Sequence, residues 1–546
     1  PLLAPLARTC AMQSHDMDEF IHECILTPSD DLSEAVSTCK PGTLVVLTPG
    51  TYHQTQTLLI EQSNVCFTTG GVVDGASPGS VKITGNSQEL GHSPLLRISG
   101  RSVSFRNIDF VYENDDTANA EDKPTTDENI VSFIAVSESS DATFQRCGVD
   151  CPGVAAFDVS GTSKPQFLDC VIKRSIIGVV VKEDAAPVLD GCVLGDAATA
   201  VGIRVSGHGN PTVKNSTLRG CGSGVAVKEK ARGLFLHNRV EACQLTGVVL
   251  LDESEPHFIG NVITGGKCNG VDCHGHSAGV FDGNKVSDNG VLGFTLNGLS
   301  KPLLEGNHVS GSVYGVWVRE ESGAVLQNNS IEECVLAGLL VSDLAEPTVV
   351  GNGVKRNKKA GIMVQGFAGG EIRDNRVEGN QTNIQLTENA ASVVVGNMIW
   401  AGTLCGVAFR DTCAATLSGN TLHGNYVNVL VMEACNPTIT DNVVHKAHGH
   451  GIHLSESTRG LVLRNRVVGN GSAGITVDGS SRAMVAGNLV QGNGGCGISL
   501  GKKVQGRVVG NVLVGNAVDC LRDRLPTGAK VSGNVHIGGP EENGEV

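Results

Sequence analysis

Apolar residues recur along this chain in short bursts of period two. Gly178-Val179-Val180-Val181, Gly224-Val225-Ala226-Val227, Gly315-Val316-Trp317-Val318 and Gly474-Ile475-Thr476-Val477 each open on glycine and continue apolar-x-apolar, the alternation of a strand with one buried side. Another apolar pair follows an asparagine in most units. That asparagine forms a column, Asn238, Asn261, Asn284, Asn307, Asn329, Asn352, Asn375, Asn397, Asn420, Asn442, Asn465, Asn488, Asn511 and Asn534, with a mean spacing of about 22.8 residues. Upstream the column continues as Ser216, Cys192, Cys170 and Cys147, which makes roughly 18 units.

Two strands per unit, joined by Gly and Asn turns with no helix between them, predict an all-β fold: a single right-handed parallel β-helix of about 18 coils, each paired with the next about 4.8 Å along the axis. The first and third residues after each glycine, such as Val179 and Val181 or Phe294 and Leu296, should fill a dry core, while the second and fourth face water. A leucine-rich repeat has a similar period but needs a Leu-x-x-Leu-x-Leu frame that is missing. A stacked side-chain amide can donate to and accept from its neighbours, and Asn tolerates the left-handed backbone of tight turns, so the Asn column reads as structural. A second column five residues on mixes Asn289, Asn357 and Asn425 with Cys221, Cys243 and Cys334, so these cysteines read as buried structural thiols.

The period breaks at the ends and once inside. Leu32, Ala35, Val36 and Cys39 lie at helical spacing behind Ser29 and Asp30 as candidate caps, which predicts a short helix over 31–39 that closes the core after an N-terminal extension, 1–28. The β-helix then spans 29–537, interrupted by an acidic insertion at 111–130 that reads as a solvated loop, and 538–546 reads as a disordered polar tail.

Composition narrows the partners. A net charge of −15 argues against nucleic acid, and no apolar run approaches the roughly 18 residues of a membrane span. Eighteen cysteines without a CxxC suit reduced thiols in the cytoplasm, although sequon triplets at Asn215, Asn328, Asn380 and Asn470 keep secretion as a minority reading. The start at Pro1 without Met suggests a processed or partial chain.

With the units aligned, Asn436-Pro437-Thr438-Ile439-Thr440-Asp441-Asn442 and Glu346-Pro347-Thr348-Val349-Val350-Gly351-Asn352 resemble the repeats of the F-box β-helix proteins and of the SHC SH2-domain-binding protein family. The opening 31–52, helix then Lys-Pro-Gly then strand then Pro-Gly-Thr-Tyr, is similar to the start of those domains. The resemblance covers about residues 30–535 and implies a pectin-lyase-like solenoid that recruits substrates for ubiquitin ligation or scaffolds a signalling or cytoskeletal assembly. It also implies a ligase-docking segment outside this sequence, since residues 1–28 are too short for an F-box.

Candidate chemistry is diffuse. Glu255-Pro256-His257 invites comparison with an alginate-epimerase motif, but Pro256 sits in the ordinary repeat register and Phe258 replaces the final acid. An acidic column through Glu183, Glu229, Asp252, Glu320, Asp343, Glu388, Asp411, Glu433 and Glu456 spreads over most units, as turn chemistry would. His448, His450 and His453 could approach one another, yet nothing completes a recognisable ligand set, so no metal or other cofactor is expected. The best candidate is a surface of consecutive outward positions: Val249 and Leu251, Asp272 and His274, Thr295 and Asn297, Tyr314, Trp317 and Arg319, then Leu340. The leading expectation is a non-catalytic module that binds a protein partner there. The alternatives are a lyase or epimerase acting on a polyuronate, with Asp272, His274 and Arg319 as its chemistry, and an architectural part of a filament or cilium.

Overall fold

The computed structural model describes residues 20–70, 81–113, 131–196, 199–518 and 528–537. The chain divides into two compact units, residues 1–218 and 219–546. In both it winds as a right-handed parallel β-helix with almost no helix. Each coil carries three strands rather than two: sheet 1 before the Asn column, sheet 2 just after it, and sheet 3 after the glycine, as in Gln166–Leu168, Val171–Lys173 and Ile177–Val181.

Among the described residues the first unit has eight stacked strands in the sheet-1 position and the second unit has fourteen, more than the repeat column reveals. The additional strands lie at the start, where His22–Leu26 pairs with Thr43–Leu47, then Val65–Thr69 and Ser104–Arg106. There the column residue is no longer polar: Ile108, not Asn107, occupies it, and Asn107 takes the left-handed position before it, φ 57°. Among the described residues the first strand is thus His22–Leu26, which lies within 1–28. The capping helix is real but shorter, Leu32–Thr38, and Asp31 caps it by accepting from the N–H groups of Ser33 and Glu34 at 2.8 and 3.1 Å. Asp30 is instead occupied with Thr27. Leu32 and Val36 are buried, and the helix packs on Leu58–Ile60, the first strand of sheet 3, covering that sheet's open edge. A second short helix, Ser87–Leu90, has no signal in the repeat pattern. The strand Asp109–Glu113 leads into the acidic insertion, of which residues 114–130 lie outside the described ones, as does the tail 538–546.

The cores follow the alternation. Phe67, Phe105, Phe144 and Phe167 stack in register in the first unit with ring centroids 4.8, 5.0 and 5.3 Å apart. Phe235, Phe258 and Phe281 do so in the second at 4.4 and 5.2 Å. The Asn column is a continuous ladder. Each Oδ1 accepts from the backbone N–H and Nδ2 of the preceding coil's Asn, while each Nδ2 reaches a sheet-1 carbonyl one coil back, as Asn284 does with Asn261 and the Phe258 carbonyl at 2.8, 3.0 and 2.9 Å. Cysteine replaces Asn by keeping one of these bonds: the thiols of Cys170 and Cys192 donate to the equivalent carbonyls of Phe144 and Phe167, both at 3.3 Å. None of the sixteen described cysteines forms a disulfide. Burial pushes the Cys334 thiol up to about 12, and the Cys170 thiol reaches about 12 chiefly through its hydrogen bond with Cys147. Two of the four sequon asparagines, Asn380 and Asn470, are buried in the second column.

The left-handed residue is not the ladder Asn but the one before it, for example Asp374 (φ 57°), Gly396 (67°) and Asp441 (57°). The acidic column is left-handed too, φ 57–63° at its acids, which explains the glycines at 207, 275, 298, 366 and 479 in the same column. The carboxylates cap the turn one coil back. Glu388 accepts from the Gly366 N–H at 2.8 Å and donates its own N–H to Asp411 at 3.0 Å. The Thr387 hydroxyl, then the Glu388 N–H, holds the Asp411 carboxyl below the usual range. Glu388→Ala should lose the hydrogen bond and keep the backbone strain, whereas Glu388→Gly loses the bond but relieves roughly 1 kcal/mol of strain. We expect Glu388→Gly to exceed Glu388→Ala in urea-unfolding stability by about 1 kcal/mol; equal stabilities would remove the left-handed turn as the cause of the column.

Candidate functional site

Sheet 3 of the second unit brings the expected surface residues into register. Val249, Asp272, Thr295, Trp317, Leu340 and Met363 are successive partners across adjacent strands. Leu251, His274, Asn297 and Arg319 lie two residues on from the first four, on the same outer side. The Trp317 indole N–H donates to the Ser342 hydroxyl at 2.9 Å, the Arg319 guanidinium lies 4.8 Å from the indole centroid, and the Tyr314 ring stands 6.0 Å away. Arg319 also faces Glu320 and Asp343 at 3.7 and 3.8 Å, opposite charges that favour its place over the indole. The turns flanking this sheet expose Val291, Val335 and Leu336 on one margin and Leu299, Leu344 and Phe367 on the other, each between 36% and 67% exposed. Scattered single exposed apolar residues are ordinary, whereas these six gather along the two margins of one sheet.

Three of the expected residues differ from expectation. Thr295, Asn297 and Leu340 are 5%, 6% and 3% exposed, because on a stacked sheet the large neighbours one coil away cover a smaller residue. Leu340 lies between Trp317 and Met363 in register and so serves as the floor beneath the indole. Val249, Leu251, Asp272, His274, Tyr314, Trp317 and Arg319 are half-buried, open along one side.

The polar end of the surface is a network. His274 lies 3.3 Å from Asp272, Asn297 Nδ2 donates to His274 Nδ1 at 3.3 Å, and Asn269 Nδ2 donates to Asp272 and Thr295 at 3.3 and 3.2 Å. Arg319 stands two coils beyond Asp272 and is engaged with Trp317 and its acidic neighbours, so the three residues named for an enzymatic reading do not converge on one point. The other candidate histidines lie away from this network. His257 is exposed on sheet 1. His450 and His453 have rings 5.1 Å apart, with His450 held below its ordinary pKa by burial and then by His453, while His453 meets Asp478 at 3.2 Å. Among the described residues no three His, Cys, Asp or Glu side chains gather as a metal site would require.

Two features escaped the sequence reading. In the first unit a cleft of about 380 Å³ lies over Gly148, ringed by Lys82, Asp109, Arg146, Asp150 and Lys173. A Cβ on Gly148 would fall 2.3 Å from Asp109 Oδ1, so glycine makes the room that Asp109 fills, and burial foremost raises the Asp109 pKa. In the second unit Trp400, His423 and His445 stack on the outer side of sheet 2. Both were visible only by applying the 22–23-residue period to the strand after the asparagine, as well as to the one after the glycine.

The sequence model of the right-handed β-helix region family matches residues 124–280 and 246–399, and that of the periplasmic copper-binding protein NosD matches 345–524. No curated protein sequence matches. Among solved structures, the alginate lyase AlyGC is 9% identical with a TM-score of 0.35, over 94% of this chain and 100% of that one. The catalytic domain of an alpha-1,3-glucanase in complex with tetrasaccharides is 12% identical with a TM-score of 0.36, over 76% and 67%. The periplasmic alginate epimerase AlgG is 13% identical with a TM-score of 0.19, over 94% and 83%. The matches support the parallel β-helix repeat and do not reach the narrower likeness to the F-box and SHC-binding families.

Proposed function

The chain belongs to the right-handed β-helix family, and from that premise we propose that its second unit is a non-catalytic module that binds a protein partner across the outer side of sheet 3. The observation that carries this reading is the Trp317 indole, seated on Leu340, clamped by Arg319 and bordered on both margins by exposed apolar turn residues. Tryptophan, tyrosine and arginine are the residues enriched at interface hot spots, and this chain has 2 Trp and 4 Tyr in all, so their meeting on one surface carries weight. The acidic column supports the same reading, since its carboxylates cap backbone N–H groups rather than face a common point.

The test is affinity capture of partners from the source lysate with quantitative mass spectrometry. Trp317→Ala and Arg319→Ala should each reduce recovery of the same partner by roughly tenfold or more, the effect of losing a hot spot. Arg319→Ala should leave the thermal midpoint unchanged, because its ion pairs are surface pairs. Undiminished recovery with both variants would discard this surface.

A second reading rests on the cleft over Gly148, where Asp109 lies among Lys82, Arg146 and Lys173. Those groups would suit a lyase or epimerase acting on a polyuronate, and ultraviolet absorbance of unsaturated uronate products would support it.

A further inference from the structure

The second tryptophan lies on a different side of the same unit. On the outer side of sheet 2, Trp400, His423 and His445 are successive register partners. The Trp400 and His423 rings have centroids 5.9 Å apart and planes 5° apart; those of His423 and His445 are 5.2 Å and 29° apart. Two residues earlier on the same strands, Met398 and Val443 are 44% and 36% exposed. The result is a strip of aromatic and apolar surface running across three coils.

Its charged surroundings are one-sided. Lys446 follows His445 directly, and Arg466 is the register partner of Val443. Neither forms an ion pair among the described residues. Above Trp400 lie Arg376 and Glu378, one of each sign, and on the sheet-1 side Asp441 is neutralised by Arg464 at 2.8 Å. The strip therefore carries net positive charge even with neutral imidazoles, in a chain whose net charge is −15. Burial, then His423, Lys446 and Arg466, holds the His445 imidazole below its ordinary pKa, so it is neutral at pH 7 and takes up charge on acidification.

We infer that this strip is a docking site for a short acidic segment of a partner protein, with apolar side chains laid on the Trp400–His423–His445 rings and carboxylates against Lys446 and Arg466, and that docking tightens as the pH falls. Charge complementarity selects an anion. Length then selects a short segment. A long polyanion such as nucleic acid would extend past the roughly 8 Å over which the local charges act and meet the chain's excess negative charge, whereas a few carboxylates feel only the strip. The sign of the pH effect follows from linkage. A carboxylate placed beside His445 offsets the burial and neighbouring positive charge that disfavour its imidazolium, so the bound state holds more protons than the free state and affinity rises as pH falls.

The probe is a fluorescein-labelled octapeptide of alternating Glu and Tyr, titrated with the full chain by anisotropy at pH 7.5 and 5.5. The peptide should bind roughly tenfold more tightly at the lower pH. His423→Gln combined with His445→Gln should keep binding at pH 7.5 and abolish the difference, while Lys446→Glu with Arg466→Glu should weaken binding at both values. These side chains are at least partly exposed, and circular dichroism melting confirms folding of each variant. A pH difference that survives the double Gln variant, or equal binding of a Gln-Tyr octapeptide, would overturn the proposal. Tighter binding of oligothymidylate or an oligouronate than of the peptide would overturn the choice of partner. Trp317→Ala should leave all these titrations unchanged, which keeps this site separate from the sheet-3 surface.

Discussion

Asn375→Ala is expected to cost about 3–6 kcal/mol, the largest effect of any single truncation considered. Asn375 is fully buried. Its Oδ1 accepts from the backbone N–H and Nδ2 of Asn352 at 2.9 and 3.0 Å, and its Nδ2 donates to the Val349 carbonyl at 3.0 Å and to Asn397 Oδ1 at 2.9 Å. Alanine leaves two donors of Asn352 and the Val349 carbonyl without these bonds in a place closed to water, and each buried orphan costs about 1–3 kcal/mol. Asn397 Oδ1 suffers least, since the backbone N–H of residue 375 still reaches it. Because coils are coupled mainly to their neighbours, the measurement is amide hydrogen exchange at Asn352 and the adjacent strands alongside urea unfolding. Asn375→Cys should fall between, since a thiol in this column recovers the bond to the carbonyl as Cys170 does, but not the acceptor. A cost under about 1 kcal/mol for Asn375→Ala would mean that the freed groups find other partners and the ladder is not what holds the turn.

The next largest effect concerns a pair. In an ordinary coil the glycine opening the sheet-3 strand makes room for the second-column amide of the next coil: a Cβ on Gly451 would meet Asn470 Nδ2 at 2.8 Å and the Gly474 carbonyl at 2.6 Å. Two coils invert this. Where the second column has Ala447, Asn428 stands in place of the glycine, and its side chain accepts from Asn425 Nδ2 at 2.8 Å and donates to Asn470 Oδ1 at 3.2 Å. Where the column has Gly402, Asn383 does the same between Asn380 and Asn425, each at 2.9 Å. In these two coils one amide is thus kept, supplied from the strand in place of the turn. Asn428→Gly should cost about 2–4 kcal/mol through the void and the broken bridge. Ala447→Asn should cost about 1–3 kcal/mol by overpacking against Asn428. The double substitution restores the ordinary arrangement and should lie near the parent, a coupling of at least about 2 kcal/mol in a double-mutant cycle of urea-unfolding free energies. Additive costs would show that the two positions do not share one space.

The fold was legible because a stacked coil repeats its chemistry in the sequence. Phe144 above Phe167 and Asn352 above Asn375 are neighbours in space because the period places them so. The start of the fold was less legible, since His22–Leu26 meets a single described partner strand and Ile108 replaces the polar column residue. The sheet-3 surface was half legible. Register predicted that Val249, Asp272, Trp317 and Leu340 would line up, but an outward position is not an exposed one, and Leu340 is covered by Trp317 and Met363.

The sequence alone thus determined the period, the inward and outward sides of each strand and the identity of the ladder residues, because in-register parallel stacking turns a linear repeat into contacts. Only the tertiary structure decided which outward residues stay open to water, that Asp109 folds into the space over Gly148, and that Trp400, His423 and His445 lie ring upon ring beside Lys446 and Arg466. Those depend on side-chain directions and on what the turns place at the margin of each sheet. A period of about 23 residues fixes neither.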